Sequence, residues 1–456
     1  MEGKPTVQCH LKASWVLLFL SLLGLLLIAF SPTPPAVKAD GTIPQPGITT
    51  TATIFLPIVV TVPDPPPVKL GVDFGSNITQ SAVISPDFGL AKAMGAEWTR
   101  FELPWLKIEP APGQFDWAPY DAAMNRAEAL GTKVLAVLHS APTWAAVESC
   151  GPISDTVALT TFVTAAVTRY HQVVGAWEFI NEPDAKAFVP NYSPTVGCWG
   201  PAPDQYAQQL ALFYNTVKAL DPKALVLFGS LAYDNWAVFD RQFLDNALAQ
   251  GAGPYFDGLG IHYYPINPVE FPSMRDKIKE VRAILDKYRL WNKQLWVTET
   301  STWTNAGESL EGQKDYIVRE QTRGLCNGAD NLFWFAVRQE GENPPRHRWL
   351  INLAHQPDQG YFTYQHYASQ VKGRTCRGAY AQVPANIEAY RLVHVGQPDL
   401  YVLWSMTTDT TVTLPATVAA RLINRDGAEQ QSLTAQNGVV TVTIGRQPSF
   451  VVTDPN

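Results

Sequence analysis

The segment Ala176-Trp-Glu-Phe-Ile-Asn-Glu-Pro-Asp184 closes a short apolar run with an amide and a carboxylate, Asn181 and Glu182, and then a proline. The segment Gln294-Leu-Trp-Val-Thr-Glu-Thr300 delivers a second carboxylate, Glu299, at the end of a similar run. Two carboxyl groups on strands that converge can divide the acid/base and nucleophile roles needed to break a glycosidic bond. That division requires one neutral and one ionised group, so their surroundings must drive the two pKa values apart. Asn-Glu-Pro by itself is short enough to arise by chance, and the joint placement of the two glutamates is what gives it weight.

Placement follows from the elements around them. From Lys69 onward, β-rich apolar runs recur at Leu70–Phe74, Trp98–Leu103, Val134–His139, Ala176–Asn181, Leu225–Gly229, Leu259–Tyr263, Leu295–Glu299 and Leu332–Val337. Between them lie segments such as Tyr120–Leu130, Leu159–Tyr170, Gln205–Leu220 and Met274–Tyr288, with apolar residues every three or four positions, the helical period. This alternation predicts an α/β chain with a parallel sheet, and eight such units fit a (β/α)8 TIM barrel. Reactive groups of that fold sit at the C-terminal ends of the strands. Glu182 follows the fourth run and Glu299 ends the seventh, so the two face each other across the barrel mouth. The rival fold, a doubly wound sheet, needs a glycine-rich nucleotide loop after the first strand, and Gly71-Val-Asp-Phe-Gly75 lacks its third glycine. Beyond about Pro384 the texture changes to short alternating strands, Tyr401–Trp404, Thr410–Leu414, Ala419–Asn424, Val439–Ile444 and Phe450–Val452, punctuated by Arg425-Asp-Gly427 and Gln436-Asn-Gly438. These signals predict a small antiparallel, sandwich-like β-domain over 385–456, either packed on the barrel of 69–384 or acting as an accessory module.

The 34 basic and 41 acidic side chains leave a net charge of −7, which excludes the basic face that nucleic acid requires. Charged residues are only 16% of the chain, while 14 Trp, 17 Tyr and 20 Phe suit a protein that holds the flat apolar faces of sugars outside the cell. Residues Trp15–Phe30 form an apolar run preceded by Lys4 and Lys12 and followed by small residues up to Ala39, the build of a signal peptide cleaved after Ala39. The rival is an uncleaved membrane anchor, and both export the remainder to the cell surface or beyond. Prolines and threonines crowd the stretch to residue 68, predicting an extended spacer over 40–68. Cys9 is lost with the leader, leaving Cys150, Cys198, Cys326 and Cys376 for an oxidising compartment. Spacing does not choose among their three pairings; Cys150 with Cys198 and Cys326 with Cys376 is the favoured one. Asn77-Ile-Thr79 and Asn191-Tyr-Ser193 fit the glycosylation sequon.

In these residues the chain resembles the retaining glycoside hydrolases of clan A, which carry Asn-Glu-Pro after strand four and a lone Glu after strand seven. Trp177-Glu-x-x-Asn-Glu-Pro183, His262-x-Tyr264-Pro265 and the C-terminal β-domain are most similar to family 39, with the cellulase-like family 5 close behind. The resemblance spans about residues 70–370. It implies Glu182 as acid/base, Glu299 as nucleophile, Asn181 as partner of the sugar 2-hydroxyl, and Arg100 as a donor that keeps Glu299 ionised. It further implies that His262 and Tyr264 orient the nucleophile, that His139 lines the subsite of the reacting sugar, and that Trp334 forms its stacking floor. Ile180 stands where family 39 usually has Trp, which leaves the subfamily and the sugar open. The field of ionised Glu299 would keep Glu182 protonated until glycosylation removes it, after which Glu182 becomes a base. Such chemistry calls for no metal and no cofactor, only a poly- or oligosaccharide substrate, and a monomer suffices for it.

Blander roles compete at several positions. Glu178 should point inward on the strand that leads to Glu182 and reads as a buried structural carboxylate near Arg100. His139 is equally well explained as a satisfied rim histidine. Trp105, Trp144, Trp199 and Trp303 lie near strand-end loops and either stack on sugars or pack in the core. Tyr401 and Trp404 form either a binding platform or an inward strand face. As a whole, the leading expectation is an exported retaining glycosidase, with a non-catalytic carbohydrate-binding protein or a transglycosylase using the same site as alternatives.

Overall fold

The computed structural model describes residues 67, 69–79, 86–188, 195–234, 237–265, 271–302, 309–339 and 348–454. They all fall in one compact unit, 62–456. The expected leader at 1–39, nearly all of the expected spacer, the sequon at Asn191 and Trp303 lie outside them. Among the described residues no helix is long and apolar enough to cross a membrane.

Eight strands lie side by side in chain order: β1 (Lys69–Asp73), β2 (Trp98–Pro104), β3 (Lys133–His139), β4 (Val174–Phe179), β5 (Leu225–Leu231), β6 (Gly258–Tyr263), β7 (Gln294–Thr300) and β8 (Asn331–Trp334). Every neighbouring pair is parallel, and β8 pairs back onto β1 to close the barrel. Parallel neighbours cannot be joined by a hairpin, so each connection must cross over. The crossovers carry helices α1 (Pro86–Ala93), α2 (Ala118–Ala129), α3 (Thr156–Tyr170), α4 (Pro203–Leu220), α5 (Phe243–Ala249), α6 (Met274–Lys287) and α7 (Leu310–Cys326), and α8 (Gln359–Val371) follows β8. Burial on both faces turns the strands into nearly continuous apolar runs, as in Lys-Val-Leu-Ala-Val-Leu-His of β3.

Alternation sorts each strand into an inward and an outward set. Inward, Trp98, Leu135, Ala176, Leu227, Trp296 and Phe333 plug the barrel. Trp98 meets Trp296 edge-on with centroids 5.0 Å apart, and Phe333 stacks on Trp296 at 5.9 Å. Phe333 makes glycine obligatory at position 71, where a Cβ would lie 2.5 Å from its ring. One inward position further toward the strand ends, the plug gives way to polar side chains: Asp73, Arg100, Glu178 and Thr298. The outward set packs with the helices into one continuous core.

The C-terminal strands form a six-stranded antiparallel sheet and a two-stranded partner. The first has the order β14 (Glu429–Thr434), β13 (Ala419–Asn424), β16 (Ser449–Thr453), β11 (Leu400–Ser405), β10 (Ile387–Val393), β9 (Thr375–Ala379); the second pairs β12 (Thr410–Pro415) with β15 (Val439–Ile444). Tyr401, Leu403 and Val451 of the larger sheet face Val412, Leu414, Val440 and Val442 of the smaller in a separate core. The opposite face, with Trp404, Val402 and Phe450, joins the barrel's own core, so the domain is packed on the barrel. Arg323 of α7 grips Glu388 with two hydrogen bonds of 2.9 and 2.6 Å, and Arg425 pairs with Glu311 and Asp315. Disulfide Cys326–Cys376 ties the end of α7 to β9, and Cys150–Cys198 is the other bridge.

The larger sheet begins at Thr375, earlier than the boundary expected at 384. Its edge strand, Thr-Cys-Arg-Gly-Ala, alternates only weakly between buried and exposed positions and so carries little pattern. Strand β14, Glu-Gln-Gln-Ser-Leu-Thr, buries one side chain and escapes notice for the same reason. Helix α7 was hidden differently: Gln313, Glu320, Gln321 and Arg323 are buried among its apolar residues and break the stripe.

Candidate active site

Strand β4 ends at Phe179, and the next residues turn sharply, with φ of 64° at Ile180 and 45° at Glu182. A β-branched residue in the left-handed region is strained by about 1–3 kcal/mol, so its neighbours must hold it there. They do so through the backbone: Ile180 N–H donates to Leu138 O at 2.9 Å, Glu182 N–H to Ser230 O at 2.8 Å, and Gly197 N–H to Asn181 O at 2.8 Å. Cys198 N–H donates to Cys150 O at 2.8 Å, so the first disulfide braces the same corner. Asp184, completely buried, accepts from the N–H groups of Ala232 at 3.1 Å and Tyr233 at 2.9 Å, pinning the segment after β5 to the Asn-Glu-Pro-Asp turn.

Glu299 approaches from β7. The β6–β7 ladder shifts register between Ile261 and His262, which sets His262 opposite Glu299. Its Oε1 accepts from Arg100 Nη1 at 2.6 Å, and its Oε2 accepts from the Tyr264 hydroxyl at 2.6 Å. His262 spans the two carboxyls, with Nδ1 2.8 Å from Glu182 Oε1 and Nε2 3.4 Å from Glu299 Oε1. Both glutamates keep a little exposure at the mouth, 15% and 10% of their side chains, while His262 is buried.

Arg100 organises the floor. Its Nε and Nη2 hold Glu178 at 3.3 and 2.8 Å, Nη2 also reaches Asn181 Oδ1 at 2.6 Å, and Nη1 is shared by Asp73 Oδ2 and Glu299 Oε1 at 2.6 Å each. Glu178 is thus the buried partner of Arg100 that its position on β4 implied. The second amide hydrogen bond of Asn181 runs from Nδ2 to Thr195 O at 3.2 Å. Behind Glu182, the buried Lys277 of α6 donates to Asp234 at 2.7 Å and to Ala232 O.

Burial dominates the ionisation of these groups. It pushes Glu182 up to about 7, against the pull of Arg100. It raises Glu299 as well, with His262 and Arg100 opposing. Burial thus moves both carboxyls upward rather than in the opposite directions expected from the sequence, and the pull of Arg100 does not reverse it for either one. Burial lowers His262 to about 4, so the bridging imidazole is neutral near pH 7. Burial resists the charge on Arg100, but Glu178, Asp73 and Glu299 outweigh it and hold the guanidinium protonated.

The structure thus brings together Glu182, Glu299, Asn181, Arg100, His262 and Tyr264. His262 approaches both carboxyls rather than Glu299 alone. His139 sits farther off: its Nδ1 lies 2.5 Å from Ser140 Oγ and its Nε2 3.8 Å from Glu102. It lines a cavity of about 90 Å³ with Glu102, Lys107, Tyr120, Ser140 and Thr195, whose carbonyl touches Asn181. Trp334 does not take the place expected of it as the stacking floor. It points outward, packs against Tyr316 of α7 and Tyr364 of α8, donates its Nε1 hydrogen to Arg348 O at 2.7 Å, and cannot be the floor of a sugar site. The next residue, Phe335, is half-buried with its ring 6.4 Å from that of Tyr264. Trp105 and Trp199 are fully buried core residues, and Trp144 is partly buried against Trp105. Trp404 lies under Arg323 and Arg319, and Tyr401 faces the sandwich core, so neither forms a platform. Asp73 escaped the sequence analysis, although its inward parity on β1 was available as a signal. Among the described residues, Glu148, Cys150 and Cys198 cluster with metal-ligand spacing, but both sulfurs belong to the disulfide.

A family model for Glyco_hydro_42, beta-galactosidase, matches residues 75–148. Among solved structures, a family 39 glycoside hydrolase from the gut symbiont Bacteroides cellulosilyticus is 21% identical over 85% of this chain and 81% of its own, with a TM-score of 0.67. A family 39 beta-xylosidase from Caulobacter crescentus is 16% identical over 86% of this chain and 98% of its own, TM-score 0.59. A family 30 endoxylanase from Clostridium papyrosolvens is 14% identical over 86% and 97%, TM-score 0.59. The fold is that of the clan A glycoside hydrolases, and the resemblance to family 39 holds at the level of structure.

Proposed function

We propose that the protein is an exported retaining glycoside hydrolase that cleaves O-glycosidic bonds of a poly- or oligosaccharide by double displacement. The observation that carries this conclusion is the pair of carboxyls at the barrel mouth, with a neutral imidazole 2.8 Å from Glu182 and 3.4 Å from Glu299, and with Arg100 and Tyr264 donating to Glu299 and not to Glu182. In the first half, the Glu299 carboxylate attacks the anomeric carbon as Glu182 gives its proton to the departing oxygen, so one C–O bond forms while another breaks. In the second, ionised Glu182 takes a proton from water, the water oxygen displaces Glu299, and both groups return to their starting states. Glu182 is suited to the acid role because its pKa of about 7 keeps it protonated below neutrality. Asn181, its carbonyl committed to Arg100, has an amide hydrogen left for the sugar 2-hydroxyl.

Export is supported by the apolar leader and by two disulfides, which persist in oxidising compartments. The similar structures include a beta-xylosidase and xylanases, which puts β-xylosides first on a substrate panel. The test is a screen of residues 40–456 and the Glu182→Ala variant against aryl β-glycosides and polysaccharides with azide as external nucleophile. Azide rescue with a β-glycosyl azide product supports retention and Glu182 as acid/base. An active wild type whose Glu182→Ala variant loses nothing would sink the assignment.

A further inference from the structure

The five N–H hydrogens of Arg100 are all committed, and three of the four acceptor groups are carboxylates. A buried guanidinium paired with Glu299 alone would make it a strongly stabilised and weakly basic anion, a poor nucleophile. Here the same nitrogen, Nη1, serves Asp73 and Glu299 at equal distances of 2.6 Å, while both oxygens of Glu178 occupy the Nε side. Asp73 is itself held from behind: its Oδ1 accepts the N–H of Gly75 at 2.7 Å, in the turn that follows β1. Both Asp73 oxygens therefore accept hydrogen bonds, the pattern of a carboxylate, in a side chain that is 1% exposed.

We propose that Asp73 is a positioning residue for Glu299: by sharing Nη1 of Arg100 it aims that nitrogen at the nucleophile and offsets the guanidinium charge, so that Glu299 stays basic enough to attack. The inference rests on Glu299 being the nucleophile. Asp73 lies at the C-terminal end of β1 and Glu299 near that of β7, on either side of β8, and Arg100 on β2 links the two. The groups that set the ionisation of Glu299 are then Asp73 from β1, Arg100 from β2, Glu178 from β4, Glu182 after β4, His262 from β6 and Tyr264 after it. Behind them, Asp234 and Lys277 act on Glu182, Arg348 acts on Tyr264, and on the β3 side His139 faces Glu102. The raised pKa of Glu299, with Asp73 among its causes, agrees in direction with this arrangement, and burial likewise raises Asp73 against the pull of Arg100.

The test is Asp73→Asn, which removes the charge at nearly constant volume. Two carboxylates about 5 Å apart at an effective dielectric near 20 couple strongly enough to move a pKa by about one unit or more. The acidic limb of kcat/KM should therefore shift down by about one pH unit, while kcat at the optimum falls roughly tenfold and KM stays within about twofold. A loss that is uniform across pH, with the limb unmoved, would show a merely structural role and overturn the proposal. Should Asp73→Asn not fold, Glu178→Gln removes another carboxylate from the same guanidinium and must move the limb in the same direction. The carboxyl ¹³C resonance of Glu299, assigned with Glu299→Gln, reads the same shift without turnover. If the wild type cleaves nothing, the nucleophile assignment fails separately, and an unmoved Glu299 titration in Asp73→Asn overturns the electrostatic coupling on its own.

Discussion

Replacing Glu182 with Gln should stabilise the fold above neutral pH while removing acid catalysis. The native pKa of Glu182 is about 7, against an ordinary value of 4.5. Between those values the folded protein keeps the carboxyl proton that the unfolded chain releases. A raised carboxyl therefore contributes stability that is fully present below pH 4.5 and is lost as pH rises through 7. That gap corresponds to about 3 kcal/mol of burial cost carried by the ionised form. Gln cannot ionise, and its amide can donate to His262 Nδ1, which lies 2.8 Å from the Glu182 carboxyl. The stability of Glu182→Gln relative to wild type should thus rise by about 3 kcal/mol between pH 4 and pH 8, or about 5 °C in melting temperature for a large chain. Urea unfolding at a series of pH values measures this directly. Parallel pH curves for the two proteins would refute the raised pKa, and with it the claim that burial sets the acid.

Tyr264→Phe removes a 2.6 Å hydrogen bond to the Glu299 carboxylate, which is worth about 1.5–3 kcal/mol for a charged acceptor; kcat should fall about ten- to a hundredfold with little change in KM. Arg323→Ala leaves Glu320 buried and without its cation and Glu388 without the two hydrogen bonds from Arg323, so a loss of about 3–5 kcal/mol should appear as a lower melting temperature and a protease-sensitive C-terminal domain. Reducing the Cys150–Cys198 bridge opens a loop of 48 residues, about 4 kcal/mol of chain entropy, and loosens the corner that positions Asn181. A fall in both melting temperature and kcat/KM should follow, measured in the Cys150→Ser, Cys198→Ser double variant.

The barrel was legible because burial on both faces writes each strand as an uninterrupted apolar run, and because α3, α4 and α6 keep clean stripes. The meeting of Glu182 and Glu299 was legible because barrel topology converts strand number into position. What stayed hidden was written in less regular code. Helix α7 buries polar side chains that partner Trp349, Met274 and Glu388, so its inner face does not look apolar. The C-terminal edge strands bury too few side chains to alternate.

The misplacement of Trp334 and the omission of Asp73 have a common cause in strand parity. A one-residue slip moves a side chain to the other face of a sheet. On β2 and β4 the parity is marked, because a charge inside an apolar strand must face its counter-charge, and Arg100 and Glu178 follow inward Trp98 and Ala176 by two positions. The same step from Gly71, which faces inward against Phe333, lands on Asp73. On β8 no charge labels a face: Phe333, Trp334 and Phe335 are consecutive aromatics, and size favours the tryptophan although it lies on the helix side. Phe333 in the plug fixes the parity, and counting two residues onward gives Phe335 beside Tyr264 and leaves Trp334 to the helices. An aromatic wall for the reacting sugar, if β8 supplies one, therefore comes from Phe335. Phe335→Ala should raise KM with the fold intact, whereas Trp334→Ala, which empties a buried site between α7 and α8, should cost about 3–5 kcal/mol of stability instead.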